Sequence, residues 1–458
     1  SECDWSSDVC SSDLTKISIR QGLIALSPIF VLIALFLTLS IAWGNFDKVP
    51  LVVVFVIASA YALFITNKNH AAEMAVGKNN KPRKLSIADR VMVFSRGAGD
   101  KNLMMMLWIF ILAGSFAQTA KDMGAIDSTV GLTLQLLPSS LLLPGLFLAA
   151  CFVSLSIGTS VGTVVALVPM TSGIATSSGI ALPLVVAAVV GGAFFGDNLS
   201  FISDTTIVAT RTQGVKQSAK FRTNIYIAAP AALICFAIYY FLGNTGAPIT
   251  QIPAVEFLKI LPYLLVIVAA VMGLDVTLVL LMGNILSGIV GMTTGSFGLE
   301  GWFASMSKGI GGMTDTILIA LLAGGLMEVI RHNRGIQFII NSLTRHIHGK
   351  RGAEGVISAL VAIINCVTAN NTVAILAVGK ISNEIADTYG VNKSKSASLL
   401  DTFSCVMQGL LPYGAQLLLA ASLVKLSPLE ILPHMYYNFV LAAIAILSIL
   451  LRYPRKFS

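Results

Sequence analysis

Two stretches of this sequence are polar where everything around them is apolar. The first, S-I-G-T-S-V-G-T ending at Thr163, offers Thr159, Ser160 and Thr163. The second, G-D-N-L-S-F-I-S-D-T-T from Gly196 to Thr206, offers Asp197, Asn198, Ser200, Ser203, Asp204, Thr205 and Thr206. Two later stretches resemble them. V-T-A-N-N-T-V brings Thr368, Asn370, Asn371 and Thr372, and L-D-T-F-S-C-V-M-Q-G-L brings Asp401, Thr402, Ser404 and Gln408. Gly409-Leu-Leu-Pro412-Tyr-Gly414 follows as a natural helix break. Glycine beside Ser, Thr and Asn lets a helix unwind in an apolar medium, and the unwound turn presents backbone carbonyls to a cation. Hydroxyl, amide, carboxylate and carbonyl oxygens suit a hard cation such as sodium. Any one of these hydroxyls is explained as well by helix packing; the clusters as wholes point to ion binding.

The carboxylates are harder to explain as packing. An ionised Asp in hydrocarbon costs about 2.5–3.5 kcal/mol on insertion scales. Asp197 and Asp204, seven residues apart, share a face if their helix is continuous. Asp401 sits at the place that the motif match gives to Asp197. Burial disfavours the ionised form, so such groups can exchange a proton for a metal ion. Asp197, Asp204 and Asp401 are therefore the expected ion-binding and proton-carrying residues. Thr159, Ser160, Thr163, Asn198, Ser200, Thr205, Thr368, Asn370, Asn371, Thr372, Ser404 and Gln408 are the expected coordinating ones. A helix cap is the simpler reading for any single Asp. Asp275 and Asp315 read as a turn residue and a cap, Glu328 as a snorkelling acid, and His332, His346 and His348 as a solvated face. No Lys or Arg is expected within the polar core, so an anionic substrate would have only helix ends to meet it.

Other chemistry is missing from the sequence. It has no Gly-Lys-Ser/Thr phosphate loop, no zinc-ligand spacing and no serine-nucleophile motif. The expectation is a protein that is no enzyme, holds no cofactor, does not bind nucleic acid and is not driven by ATP.

The elements that hold these residues lie in a membrane. Hydrophobic residues are 55% of the 458, charged residues 11%, and mean hydropathy is +0.83. Soluble chains carry about 25% charged residues. The length and the long unbroken apolar runs predict an all-α polytopic membrane protein with about ten to twelve spans. Barrel strands would alternate in polarity instead. The first 14 residues, SECDWSSDVCSSDL, stand apart as a polar, acidic stretch that reads as a non-native translated scar. Setting aside their four acids raises the formal net charge from +8 to +12. Cys151, Cys235, Cys366 and Cys405 all lie in apolar runs and read as packing residues.

Basic residues cluster at 67–101, 211–222, 331–354 and the C-terminus. The positive-inside rule puts all four in the cytoplasm. Two halves of the chain also resemble each other. ILAGSFAQTAKDMGAI (111–126) matches LLAGGLMEVIRHNRGI (321–336); Thr159 and Thr163 fall on Thr368 and Thr372; Asp197 and Ser200 fall on Asp401 and Ser404. Matching loops differ in charge: 119–140 is poor in basic residues whereas 331–354 is rich. The repeats are therefore expected to cross the membrane in opposite directions, with broken or re-entrant helices, as in secondary transporters. The expected layout is two N-terminal helices in 15–66 and a basic cytoplasmic loop in 67–101. Repeat 1 spans 102–243, connecting helices 244–313 and repeat 2 314–425. A terminal helix with a basic tail occupies 426–458.

GTSVGT followed by GGAFFGDNLSFISDTT resembles the signature region of NhaC-type sodium/proton antiporters, within a superfamily of inverted-repeat ion transporters. The resemblance covers about 100 to 425, and GDNLSFISDTT is its most specific part. Phe201 stands where that family commonly has Pro. The resemblance implies Na+/H+ exchange in a prokaryotic cytoplasmic membrane. It also implies two alternatives: coupled exchange of small organic anions of the malate and lactate type, or of amino acids. A channel or a non-transporting scaffold would need no inverted repeat. A homodimer is a further expectation.

Overall fold

The computed structural model describes all residues except 1–16, 44–48, 67–84, 137, 201–202, 244–253, 273, 346 and 455–458. The expected scar, much of the first basic loop, Phe201 and His346 thus lie outside the described residues. Two N-terminal helices come first, α1 (Ile19–Trp43) and α2 (Leu51–Ile65). Then α3 (Ile87–Ala98) opens on a capping box between Ser86 and Asp89. There follow α4 (Lys101–Met123), α5 (Ala125–Leu136), α6 (Ser139–Ile157), α7 (Ser160–Ser178), α8 (Leu182–Leu199), α9 (Asp204–Gln213) and α10 (Gln217–Gly243). The connecting helices are α11 (Phe257–Val271), α12 (Val276–Thr293) and α13 (Leu299–Gly311). The second half holds α14 (Thr314–His332), α15 (Gly335–Thr344), α16 (Gly349–Thr368), α17 (Asn371–Tyr389), α18 (Lys393–Leu410), α19 (Ala415–Val424), α20 (Pro428–Ile431) and α21 (Tyr436–Leu450).

The described residues contain nine helices or helix pairs long and apolar enough to cross a membrane, or eleven if two bent pairs count as spans. Large apolar side chains such as Leu233, Phe241, Phe257 and Leu264 face outward, where lipid is the solvent that tolerates them. Cys151, Cys235, Cys366 and Cys405 are free, and none pairs. Asp275 caps α12, its Oδ1 accepting from the Thr277 amide at 2.9 Å. Met313, with no capping side chain, holds the cap position of α14, so Asp315 lies in the first turn and does not cap it. Glu328 pairs with Arg331 at 2.7 Å.

The repeat is written into the element lengths. Ser160–Ser178 recurs as Asn371–Tyr389, Leu182–Leu199 as Lys393–Leu410, and Asp204–Gln213 as Ala415–Val424, each 211 residues later with its length kept. The caps recur too. Gly158 (φ +77°) and Ala369 (φ +47°) end α6 and α16 in the left-handed conformation, as Gly179 and Gly390 end α7 and α17. Thr159 and Asn370 then restart the chain in extended geometry. The same offset places the start of α10 on that of α20, so the correspondence runs past 425 and takes in the C-terminal helices. It also places the segment 211–222, with Arg211, Lys216 and Arg222 exposed, on one holding only Lys425 and Glu430 as charged residues. Equivalent ends of which one is basic and the other neutral fit opposite faces of a membrane under the positive-inside rule, as inverted repeats require.

This register corrects the motif match. The partner of Asp197 is Gln408, not Asp401; the partner of Thr159 is Asn370, and that of Ser160 is Asn371. The Asp match was seven residues out. Two helical turns nearly restore the same face, so a slip of that size keeps the polar pattern.

The two halves interlock. α7 packs on α19 and α17 packs on α9, so each repeat's second broken-helix segment lies against the other repeat. Gly192 and Gly196 bring α8 onto α6. A Cβ on Gly196 would collide with the Ser154 side chain and lie 2.5 Å from its backbone carbon. Gly196→Ala is expected to destabilise the protein by about 1–3 kcal/mol, as overpacking does. Thermal unfolding in detergent checks this; an unchanged midpoint would show that the two helices can separate at no cost.

Candidate functional site

The C-terminal end of α8 and the middle of α18 bring two buried carboxylates into one electrostatic neighbourhood, Asp197 and Asp401. Their surroundings differ. Asp197 accepts at Oδ1 from the Ser160 amide (2.9 Å) and at Oδ2 from the Ser160 hydroxyl (2.5 Å). It thus caps the free N-terminus of α7 from a neighbouring helix, where the helix dipole favours an anion. The break at Gly158–Thr159 is what exposes that amide.

Asp401 is paired with Lys220 of α10. Lys220 is 1% exposed, and its ammonium also donates to the Asn198 carbonyl (2.5 Å) and to Thr206 Oγ1 (2.8 Å). The Asn198 carbonyl is one of the orphan acceptors at the end of α8. Asn224, one turn beyond Lys220, donates to the same carbonyl at 2.6 Å. Asn224 Oδ1 accepts from Ser398 (2.9 Å) and Thr402 (2.8 Å) on α18. Thr205 Oγ1 donates to the Asp197 carbonyl at 3.4 Å. Its equivalent in the second repeat, Gln416, reaches the other way, donating to Ser160 Oγ at 2.9 Å.

Of the expected residues, Asp197, Asn198, Ser160, Thr205, Asp401 and Gln408 join this network. Asp204 does not enter the buried set: α8 ends at Leu199 and α9 starts at Asp204, which lies exposed in that helix's first turn. Thr163 bonds the Thr159 carbonyl (3.2 Å), Ser404 the Asp401 carbonyl (2.9 Å), and Ser200 the Leu155 carbonyl (3.0 Å). Asn370 caps α17 through the Val373 amide (3.0 Å). Asn371 Oδ1 takes the Thr372 amide (3.0 Å), and the Thr368 hydroxyl bonds the Asn370 carbonyl (3.0 Å). These bonds all join side chains to backbone groups, and none of them ends on a carboxylate.

Lys220, Asn224 and Gln416 were not foreseen. The expectation of a core without Lys or Arg is overturned by Lys220, which was assigned to a cytoplasmic loop and lies fully buried in a helix. A signal existed. Lys220, Thr223, Asn224, Ile227, Ala228 and Ala231 form one buried helical stripe, with polar residues at its head. In lipid a polar stripe turns inward.

Charge decides what this arrangement can do. Two carboxylates and one ammonium leave one negative charge without a balancing cation when all three are ionised. A bare negative charge in a protein interior is costly. A proton on Asp197, or a cation beside it, neutralises the set, and both at once would overcharge it.

The chain is similar in sequence to known antiporters. The "Malate-2H(+)/Na(+)-lactate antiporter" of Bacillus subtilis is 24% identical over 389 residues, covering 76% of this chain and 81% of that protein. The "Na(+)/H(+) antiporter NhaC" of the same organism is 25% identical over 390 residues, covering 76% and 84%. The NhaC antiporter of Alkalihalophilus pseudofirmus is 27% identical over 319 residues, covering 62% and 67%. The profile of the Na+/H+ antiporter family matches residues 13–244 and 245–452, nearly the whole length, and the chain belongs to that family.

Proposed function

We propose that this multi-pass membrane protein exchanges Na+ for H+ at a site centred on Asp197, between the two repeats. The observation that carries the reading is the single uncompensated negative charge of the Asp197, Asp401 and Lys220 set. A proton and a sodium ion compete for that charge, and competition at one site is what obligatory exchange needs. Ser160, Asn198 and Thr205 supply nearby oxygens suited to a hard cation. Inverted repeats with broken helices supply the two alternately open states.

Coupled exchange of an organic acid is the second reading, favoured by the similarity to a malate/lactate antiporter and by a lysine in the core. That lysine has three N–H groups, and Asp401, Asn198 and Thr206 take all three. An anion would have to displace one of them, so the bare-cation reading is the better supported.

Purified protein in proteoliposomes with an imposed pH gradient tests the choice. Addition of Na+ is expected to collapse the gradient with no organic solute present, and K+ is expected not to. Collapse that requires malate or lactate together with Na+ would establish the second reading. No response to any of these would remove both.

A further inference from the structure

The two breaks are built on one plan and finished differently. The 211-residue correspondence puts Gly158 on Ala369, Asp197 on Gln408 and Thr205 on Gln416. A shared hydrogen bond fixes the frame. In repeat 1 the Ser154 hydroxyl donates to the Ala193 carbonyl (2.6 Å); in repeat 2 the Asn365 amide donates to the Ser404 carbonyl (2.8 Å), at the same two positions. Each bond pins the helix before a break to the helix that carries Asp197 or Gln408. Equivalent side chains therefore meet equivalent breaks.

At the second break, Gln408 Nε2 donates to the Ala369 carbonyl (3.1 Å) and to Gln416 Oε1 (3.0 Å). A backbone carbonyl only accepts, so the end of Gln408 that meets it is the amide nitrogen, and the end of Gln416 that meets that nitrogen is an oxygen. Gln408 is 1% exposed, and its own oxygen has no hydrogen-bond partner. The nitrogen and its two acceptors thus set how the side chain lies. Ala369 holds φ +47° without being glycine. Such a backbone is held by its surroundings, and the Gln408 bond to its carbonyl is part of that hold.

At the first break the same positions lack a donor. Gly158 takes φ +77° with no Cβ to strain it. It is buried, and its carbonyl accepts no hydrogen bond among the described residues. Asp197 stands where Gln408 stands, and an ionised carboxylate has no N–H to offer. Ser160 bonds each carboxylate oxygen once, which leaves further lone pairs on both. Thr205 stands where Gln416 stands. Buried acceptors gathered without a donor are what a hard cation completes.

We propose that repeat 2 contains a counterpart of the cation site which the Gln408 amide permanently fills. The protein then binds one sodium ion per chain, in repeat 1, with the Gly158 carbonyl among its ligands. This rests on the reading that sodium binds at Asp197. The Gln408 nitrogen does for Ala369 and Gln416 what the ion does for Gly158 and Thr205: it brings positive charge to oxygens that face one another. An amide is tied to the chain and cannot leave, so only repeat 1 loads and unloads.

Counting bound sodium tests this, by equilibrium dialysis of purified protein in detergent against radioactive Na+ at alkaline pH. The parent is expected to hold one ion per chain at saturation, and Asp197→Asn none. Gln408→Glu keeps the shape and puts a carboxylate oxygen where the nitrogen meets its acceptors. It is expected to bind two ions, and its thermal midpoint should rise with sodium more steeply than the parent's. Gln408→Asp copies repeat 1 more closely, carries the same expectation and stands in if Gln408→Glu does not fold. Two ions in the parent, or one ion in both glutamine variants, would overturn the proposal; failure of both variants to fold even in sodium counts against it equally. No sodium on the parent, or an undiminished count in Asp197→Asn, sinks the functional reading itself. One ion on the parent, none on Asp197→Asn and one on the glutamine variants sinks only the filled counterpart.

Discussion

Asp197→Asn is expected to abolish Na+-driven proton flux in proteoliposomes while the protein still folds. The amide can keep the acceptor bond from the Ser160 backbone at the head of α7, so the helix end stays capped. It carries no charge, so no proton and no sodium ion is needed to balance Lys220 and Asp401. A neutral amide oxygen also binds sodium far less strongly than a carboxylate. The expected fall is to the level of protein-free vesicles, at least about a hundredfold, which corresponds to losing more than 2.7 kcal/mol of differential binding. The thermal midpoint in detergent should hold or rise, because the variant removes an uncompensated buried charge. Robust exchange in the variant would take Asp197 out of the mechanism and leave the charge-balance argument without a centre.

The second large effect concerns Lys220. Lys220→Met should destabilise the protein by about 3–5 kcal/mol, because it strands the Asp401 carboxylate, 0% exposed, without its cation. It also frees the Asn198 carbonyl and Thr206 of their shared donor. Lys220→Met combined with Asp401→Asn should recover most of that loss, since a buried ion pair replaced as a pair costs little. Unfolding of the four proteins in one detergent closes the double-mutant cycle. Simple addition of the two single losses would mean that the pair does not act as a unit. Recovery of the fold in the double variant tells nothing by itself about exchange. Its proton flux, measured on the same preparation, shows whether Asp197 alone suffices once the set's net charge is kept at minus one.

Much of this protein was legible in its residues because lipid is an unforgiving solvent. Long apolar runs have no other stable surroundings, so the membrane and the helical class follow from composition. A polar cluster such as Gly196–Ser200 inside such a run must be buried in protein, so the buried site at Asp197 follows as well. The breaks at Gly158–Thr159 and Ala369–Asn370 fall where glycine, threonine and asparagine had marked them. Three things needed the tertiary structure. Repeat register was ambiguous because a slip of seven residues nearly preserves every face of a helix, and only the paired caps show that Asp197 answers to Gln408. Asp204 shared a face with Asp197 only if one helix ran through both; α8 ends at Leu199, and Asp204 lies exposed in the first turn of α9. Lys220 was decided last of all. A basic residue near the end of an apolar run counts the same in a charge tally whether it reaches water or turns inward. Lys220 turns inward because Asp401, from a helix some 180 residues later in the chain, waits there unpaired. Local sequence carries the cost of burying each of those charges; only the packing of α10 against α18 brings the two together so that each offsets the other.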